Sequence, residues 1–465
     1  YQFGYRDPLE DPAYSGVQQK NILCIPADDD SKFSNLEEVL ASTDIVVDAL
    51  LGPGDAEPMG DLRKGTLQRV SNAKNIRPQM LIIGLDIPSG LDPDTGAVDT
   101  STLNCDLTIT LGYPKVGLFL FPGASRVGKL TIADIGIPQE IATDMNTELI
   151  TEDWACSSLP PRPLNANKTS FGRVLVIAGS INYVGAAYLS CMGAYRVGAG
   201  LVTLATPTSL VGPLLSKLTE VVFVPLTQSA AGIAAEDAFK DVKREVIASN
   251  VMLIGPGLGR GKAPQEFIKD TLGNLQPASS PNLVIDGDAL DAIKEVDKWW
   301  KKLPKQMVLT PNSGELSRML TVSIADIEKD RLSFAKKTAK EWDNTIVLKG
   351  AHTIIASFDG RTRICQSANP ALASSGTGDV LGGLIAGLLG QGIGFFDAAS
   401  LGVYLHAMAG ELLREQFGDS GIIAGDLPLA IPRVMKRIRA ELVSRAEPVV
   451  SSTSTSLWRI GGALS

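Results

Sequence analysis

The stretch RVLVIAGSINYVGAAYLSCMGAYRVGAGLVTLAT, residues 173–206, decides the fold class. Its opening RVLVIAGS is an apolar run that ends in Gly-Ser, a strand followed by a turn. Residues 184–200 read as a small-residue helix closed by Gly198 and Gly200, and LVTLAT (201–206) returns to a β-branched run. Strand, helix and strand in succession make the crossover unit of a parallel sheet.

The same pattern continues outward. EVVFVPL (220–226), VMLIGPG (251–257), NLVIDGD (282–288), QMVLTPN (306–312) and TIVLKGAHTIIAS (345–357) read as further strands, with FDGR (358–361) as a hairpin turn. Helices at 379–390, 396–416 and 426–445 close this region. Upstream, NILCIPA (21–27), DIVVDALLG (44–52), MLIIGLDIPSG (80–90), DLTITLG (106–112) and LTIADIGIP (130–138) form a second series of buried strands. Residues 139–168 are polar, carry Pro160, Pro161 and Pro163, and lack a sustained period. The reading is an α/β first domain over 1–145, a linker over 146–168, a second α/β domain over 169–446, and a poorly ordered tail over 447–465 that contains SSTSTS.

A chain of 465 residues with 44% hydrophobic and 20% charged residues suits two soluble globular domains. The net charge of −8 argues against a nucleic-acid surface, because phosphate contacts need clustered Lys and Arg. No apolar run reaches the length of a membrane span. Five cysteines without a C-x-x-C pair read as reduced thiols of a cytoplasmic protein. Two histidines, His352 and His406, leave little material for a Ser-His-Asp triad or a zinc site, and both read as structural.

Ligands of doubly wound sheets bind beyond the carboxyl ends of the strands. AGSINYVGA, IGPGLGRG, IDGD, LTPNSGE and LKGAHT all follow strand ends, so all five can face one crevice. IGPGLGRG lacks the strict dinucleotide fingerprint, and LVTLAT ends in Thr-Pro where that fingerprint needs an acid. An NAD-binding oxidoreductase or a non-catalytic dinucleotide-binding module is therefore a secondary reading. In SSGTGDVLGG, Gly376 and Gly378 present backbone N–H groups to an anion at a helix start. Asp379 beside them is either the cap of a helix beginning at Val380 or an ionised base that takes a proton from an attacking hydroxyl. Lys349 can place a point charge on a nucleotide phosphate, or be a solvated strand-end lysine.

In chain order, GRVLVIAGSINYVGAAYLSCMGAYRVGAGLV, IGPGLGRG, LVIDGDAL, LTPNSGEL, LKGAHT and SSGTGDVLGGLIAGLL closely resemble the ADP- or ATP-dependent NAD(P)H-hydrate dehydratases of the ribokinase-like superfamily, over about 165–440. DIVVDALLGPG and LDIPSGLDPDTG resemble the second half of the NAD(P)H-hydrate epimerase domain often fused ahead of them. The resemblance implies a ribokinase-like α/β/α domain after a Rossmann-like three-layer domain. It implies a bifunctional repair enzyme in which R and S hydrates of NADH or NADPH are interconverted and the S form is dehydrated, with ADP leaving as AMP and phosphate. A ribokinase-like small-molecule kinase is the alternative in another reaction class.

Carried over by position, Ala186, Gly257, Asn312 and Asp379 match contacts to the hydrate, with Asp379 catalytic. Lys349, Gly350, Ala351, His352, Thr353 and Gly378 match the nucleotide-phosphate site. Asn312 departs from the many relatives with His after the same Thr-Pro. In the first domain, Gly52, Pro53, Gly54, Asp55, Ala56, Glu57, Pro58 and Asp86 match epimerase substrate contacts, and Asp48 and Ser89 match positions that hold potassium. The family's N-N-G-G-D-G loop belongs ahead of residue 1, so this domain is expected to lack part of its site. Implied partners are the two hydrates, ADP or ATP, Mg2+ and K+; no nucleic acid or membrane is implied, and the oligomeric state stays open.

Overall fold

The structure is a computed structural model that describes residues 1–4, 11–54, 59–143, 145–276, 280–446 and 458–459. The chain divides into two compact units, Tyr1–Met145 and Asn146–Trp458.

In the first unit β1 (Ile45–Asp48), β2 (Leu81–Leu85), β3 (Leu107–Leu111) and β4 (Lys129–Ala133) form one parallel sheet in the order β1-β2-β3-β4. Alternation along the strands sends Ile82 inward against Leu36, Leu40, Leu67 and Val70, which come from the helices Ser34–Leu40 and Asp61–Ile76. Ile45, Val47 and Leu81 point the other way and are 54%, 56% and 46% exposed. NILCIPA is not a strand. It supplies only a bridge from Pro26 to Gln2 before the 3-10 turn Ala27–Asp30.

The second unit is built on β5 (Thr147–Leu149), β6 (Arg173–Ile177), β7 (Leu201–Pro207), β8 (Val222–Leu226), the hairpin β9 (Gln228–Ala230) and β10 (Ile233–Ala234), β11 (Val251–Ile254), β12 (Asn282–Ile285), β13 (Val308–Leu309), β14 (Thr345–Leu348), β15 (Ile354–Ala356) and β16 (Thr362–Ile364). The main sheet runs β5-β16-β15-β14-β13-β12-β11-β6-β7-β8 and is parallel from β14 to β8. Its central strands β6, β11, β12 and β14 are buried nearly throughout, as their continuous apolar runs require when helices cover both faces.

Three sequence expectations change here. Residues 146–168 are not simply a linker: β5 pairs in parallel with β16, and Glu152–Ser158 is a helix whose cap, Thr151, accepts the Trp154 N–H. TIVLKGAHTIIAS is two antiparallel strands, β14 and β15, with Lys349–Thr353 as the turn between them. The helix after SSG begins at Thr377 rather than Val380, with Gly376 as N-cap at φ 91°. FDGR does join β15 to β16 as a hairpin. The tail 447–465 lies outside the described residues except for a short strand at 458–459. Among the described residues, no helix is long and apolar enough to cross a membrane.

The small residues of Thr377–Gly390 serve its packing on Val184–Val197. A Cβ at Gly383 would lie 2.1 Å from the Ser190 carbonyl oxygen, and one at Gly387 would lie 2.5 Å from Val197 Cγ1. From the other helix, a Cβ at Gly193 would lie 2.4 Å from the Val380 carbonyl oxygen. Gly383→Ala is expected to destabilise the second unit by about 1–3 kcal/mol through overpacking. Urea unfolding should show this loss, whereas Gly185→Ala, where a Cβ meets nothing within 4 Å, should leave stability equal or higher.

Candidate active site

Strands β6, β11, β12, β13 and β14 end along one edge, and the loops that follow them carry most of the expected residues. The centre is Asp286, directly after β12 and 2% exposed. Its Oδ1 accepts from Thr310 Oγ1 at 2.7 Å and from Lys349 Nζ at 2.8 Å. Lys349 Nζ also lies 3.6 Å from Glu315 Oε2. Burial alone would lower the Lys349 ammonium, but the facing carboxylates outweigh it and hold the pKa above the ordinary lysine value. Lys349 is therefore a paired cation at the crevice, not a solvated strand end.

Asn312 caps the helix Ser313–Leu320. Its Oδ1 accepts the Glu315 N–H at 2.8 Å, and Glu315 Oε2 accepts the Asn312 N–H at 2.8 Å. This capping box turns Glu315 toward Lys349. Burial raises the Glu315 pKa, with Lys349 opposing. A parallel bridge joins Asn312 to Lys349, so the β13 and β14 exits are held side by side.

Asp379 occupies the first turn of Thr377–Gly390, and no side-chain hydrogen bond caps that helix. The capping reading is thus not what the structure shows. Burial, and then the Asp286 charge, push its pKa up to about 7 against the pull of Lys349. Asp379 is consequently not the ordinary ionised carboxylate that the sequence suggests. A Cβ at Gly378 would sit 3.4 Å from Lys349 Nζ, and one at Gly382 would sit 3.2 Å from Asp286 Oδ2. The helix N-terminus, Lys349 and Asp286 therefore meet at one point. His406 Nε2 lies 2.9 Å from the Thr377 carbonyl oxygen and so donates to it; burial pushes its pKa down to about 4.

In the Lys349–Thr353 turn, Thr353 Oγ1 donates to the Gly350 carbonyl at 2.8 Å. Ala351 is exposed. His352 adopts φ 50°, its Nδ1 lies 3.3 Å from the Cys365 carbonyl oxygen, and burial pushes its pKa down to about 4. On the neighbouring exits, Gly257 at φ 61° lies against Ala186: a Cβ there would be 2.8 Å from Ala186 Cβ. Ser180 Oγ donates to the Gly257 carbonyl at 2.7 Å. Asp286 and Glu315 escaped the residue-level reading, although IDGD and LTPNSGE mark their loops.

In the first unit, Ser89 Oγ donates to Asp48 Oδ1 at 2.5 Å and Ser89 N–H to Asp48 Oδ2 at 2.9 Å. Burial raises the Asp48 pKa, with these bonds opposing, and among the described residues no Lys or Arg pairs with it. Asp86, at φ 68°, is held by Lys115 Nζ, by Leu111 N–H at 2.9 Å and by Thr110 Oγ1 at 3.2 Å. Gly52 and Pro53 line a cavity of about 220 Å³ with Met59, Gly90, Leu91 and Asp99. Gly54 follows them, and Asp55, Ala56, Glu57 and Pro58 lie outside the described residues.

A family model described as NAD(P)H-hydrate dehydratase matches residues 174–433, and one described as YjeF-related protein N-terminus matches residues 8–117. The bifunctional NAD(P)H-hydrate repair enzyme Nnr of Moorella thermoacetica is 37% identical over 415 residues, 89% of this chain and 77% of that protein. Its counterpart in Thermofilum pendens is 33% identical over 425 residues, 91% of this chain and 79% of that protein. The ADP/ATP-dependent NAD(P)H-hydrate dehydratase of Bacillus subtilis, co-crystallised with ATP and Mg2+, aligns with a TM-score of 0.55 at 29% identity, covering 64% of this chain and 100% of that one. With both domains matched and the Asp379–Lys349–Asp286 crevice at the expected sheet edge, the chain belongs to the bifunctional NAD(P)H-hydrate repair enzymes.

Proposed function

We propose that the second unit dehydrates the S hydrate of NADH or NADPH at the expense of ADP. The observation that carries this reading is the meeting of Asp379, Gly378 and Lys349 at one helix N-terminus. The hydrate's hydroxyl oxygen attacks the terminal phosphorus of ADP while Asp379 takes the hydroxyl proton, and AMP leaves. The carbon–oxygen bond of the phosphorylated hydrate then breaks, phosphate departs with the bonding pair, and loss of a proton from the neighbouring carbon restores the nicotinamide double bond. Lys349 and the N–H groups of the Gly376–Gly378 turn hold the phosphate oxygens. Lys349–Thr353 and Gly378 form the nucleotide side, and Ala186, Gly257, Asn312 and Asp379 form the hydrate side.

Among the described residues, no three Asp, Glu, His or Cys side chains form a metal cage. The Asp286 and Glu315 carboxylates beside Lys349 would be the protein's share of an Mg2+ site, since that ion keeps waters and takes one or two carboxylates plus substrate phosphates. When bound, the ion neutralises phosphate charge.

For the first unit, if its site is complete, we propose epimerisation, with Asp86 at the substrate and Gly52, Pro53 and Gly54 bordering it. Asp48, a buried carboxylate with no basic partner among the described residues, together with Ser89 supplies the oxygen donors that K+ requires. Five cysteines that form no disulfide among the described residues support a cytoplasmic setting.

The decisive assay adds ADP and Mg2+ to purified protein with S-hydrated NADH, following phosphate release and the return of reduced-nicotinamide absorbance together. A stable phosphorylated product without restored absorbance would mean a kinase instead. Asp379→Asn should still bind ADP but lose about 10²–10⁴-fold in turnover. In the wild type, kcat/KM should fall as pH drops below about 7, where Asp379 becomes protonated.

The same shift affects stability. A carboxyl pKa raised from 3.8 to about 7 contributes stability fully below 3.8 and loses it as pH rises through about 7. Asp379→Asn should therefore gain on the wild type in urea unfolding between pH 4 and 7, by up to roughly 4 kcal/mol, and hold that gain above pH 7. For the first unit, Lys115→Met should abolish epimerisation seen by chiral chromatography while leaving dehydration of the S hydrate intact.

A further inference from the structure

Arg331 begins the helix Arg331–Trp342 and is only 6% exposed, yet it lies outside every loop read as a substrate contact. Its Nη2 donates to the carbonyls of Leu348 and Lys349, each at 3.1 Å. Its Nη1 donates to Ser313 Oγ at 2.8 Å and to Glu328 Oε1 at 3.0 Å. Leu348 ends β14, Lys349 opens the turn, and Ser313 opens the helix that carries Glu315. One planar cation thus joins the two elements that flank the Lys349 ammonium.

The surroundings are shaped to that cation. Gly350 has φ 149°, and a Cβ there would lie 2.7 Å from Arg331 Nη2, so a side chain at 350 would push the guanidinium aside. Its single carboxylate partner among the described residues, Glu328, has a side chain 48% exposed and offsets little of the cost of burying a charge. A well-packed apolar side chain would stabilise the fold at least as well. What such a side chain could not supply is two donors aimed at consecutive carbonyls where the chain leaves the sheet.

We propose that Arg331 is a positioning residue of the nucleotide-phosphate site: by gripping the Leu348 and Lys349 carbonyls and Ser313, it sets where the Lys349 ammonium meets the phosphates. The inference rests on the reading of Lys349–Thr353 as that site. Lysine cannot replace it fully, because a single ammonium lacks the fork that reaches both carbonyls and Ser313 together.

The test uses the full chain with ADP, Mg2+ and S-hydrated NADH, and measures KM for each substrate, kcat and melting temperature for wild type, Arg331→Met and Arg331→Lys. Arg331→Met should raise the ADP KM on the order of 10- to 100-fold, the scale of losing hydrogen bonds from a charged donor, with the hydrate KM within about twofold. Arg331→Lys should fall between it and the wild type. An unchanged ADP KM in a folded variant, or an equal rise in both KM values, would overturn the proposal and leave Arg331 a fold residue. If the Met variant does not fold, Arg331→Lys decides: near-normal melting with a raised ADP KM supports the proposal, and an unchanged ADP KM overturns it. A wild type that releases no phosphate from ADP would instead sink the reading of the site itself.

Discussion

The second unit depends on one buried ion pair, Lys349 with Asp286. An ammonium and a carboxylate taken out of water cost several kcal/mol each unless their geometry and remaining hydrogen bonds compensate. Here Thr310 satisfies a lone pair of the carboxylate, and Glu315 faces the ammonium from the other side. Each partner leaves a different strand, β12 or β14, and Thr310 and Glu315 follow β13 between them. The parallel register of those three strands is what lets the pair close, with Val284 beside Val308 and Val308 beside Thr345. Burial raises the proton affinity of Asp379 most, the Asp286 carboxylate of the pair adds to that rise, and Lys349 opposes both, which leaves the pKa at about 7.

The helix that carries Asp379 has to approach this pair closely, and its glycines permit it. Gly382 faces Asp286 and Leu253, while Gly383 and Gly387 let the backbone of Val184–Val197 come near. Through that second helix the seam reaches Ala186 and, packed against it, Gly257. A stretch that looks like low-information small residues therefore sets how closely Asp379 approaches the sheet edge, because a side chain on either helix would move it away.

Much of this was legible in the sequence. Apolar runs ending in glycine or polar residues located β6, β7, β11, β12 and β14, since a strand buried on both faces admits little else. The loops of the crevice were legible for the same reason, and the order of the motifs pointed to the chemistry. What stayed hidden depends on contacts distant along the chain. Asp286 and Lys349 look like unrelated charges in IDGD and LKGAHT until the sheet order places their strands two apart. The break in TIVLKGAHTIIAS was legible as the LKGAHT loop, but the return strand β15 was not told apart from β14, because β-branched residues continue on both sides of the turn. Residues 146–168 misled through their prolines and polarity, which suit an edge strand and a capped helix as well as a linker. The Asp379 pKa was out of reach, because burial and neighbouring charge are properties of the packed site.

The acidity of the crevice also explains why an anion site can carry so many carboxylates. Asp286, Glu315 and Asp379 face one ammonium, so the pocket holds more negative than positive charge whenever Asp379 is ionised. A polyphosphate arriving alone would meet that excess at short range, where charges are poorly screened. Two features of the chain offset it: the N–H groups at the start of Thr377–Gly390, and an Asp379 whose pKa near 7 leaves part of the population neutral. The remainder calls for positive charge arriving with the anion, which a divalent cation on the phosphates would supply. Carboxylates so arranged would favour a nucleotide that carries its cation over the nucleotide alone, because the same acidity opposes a bare phosphate.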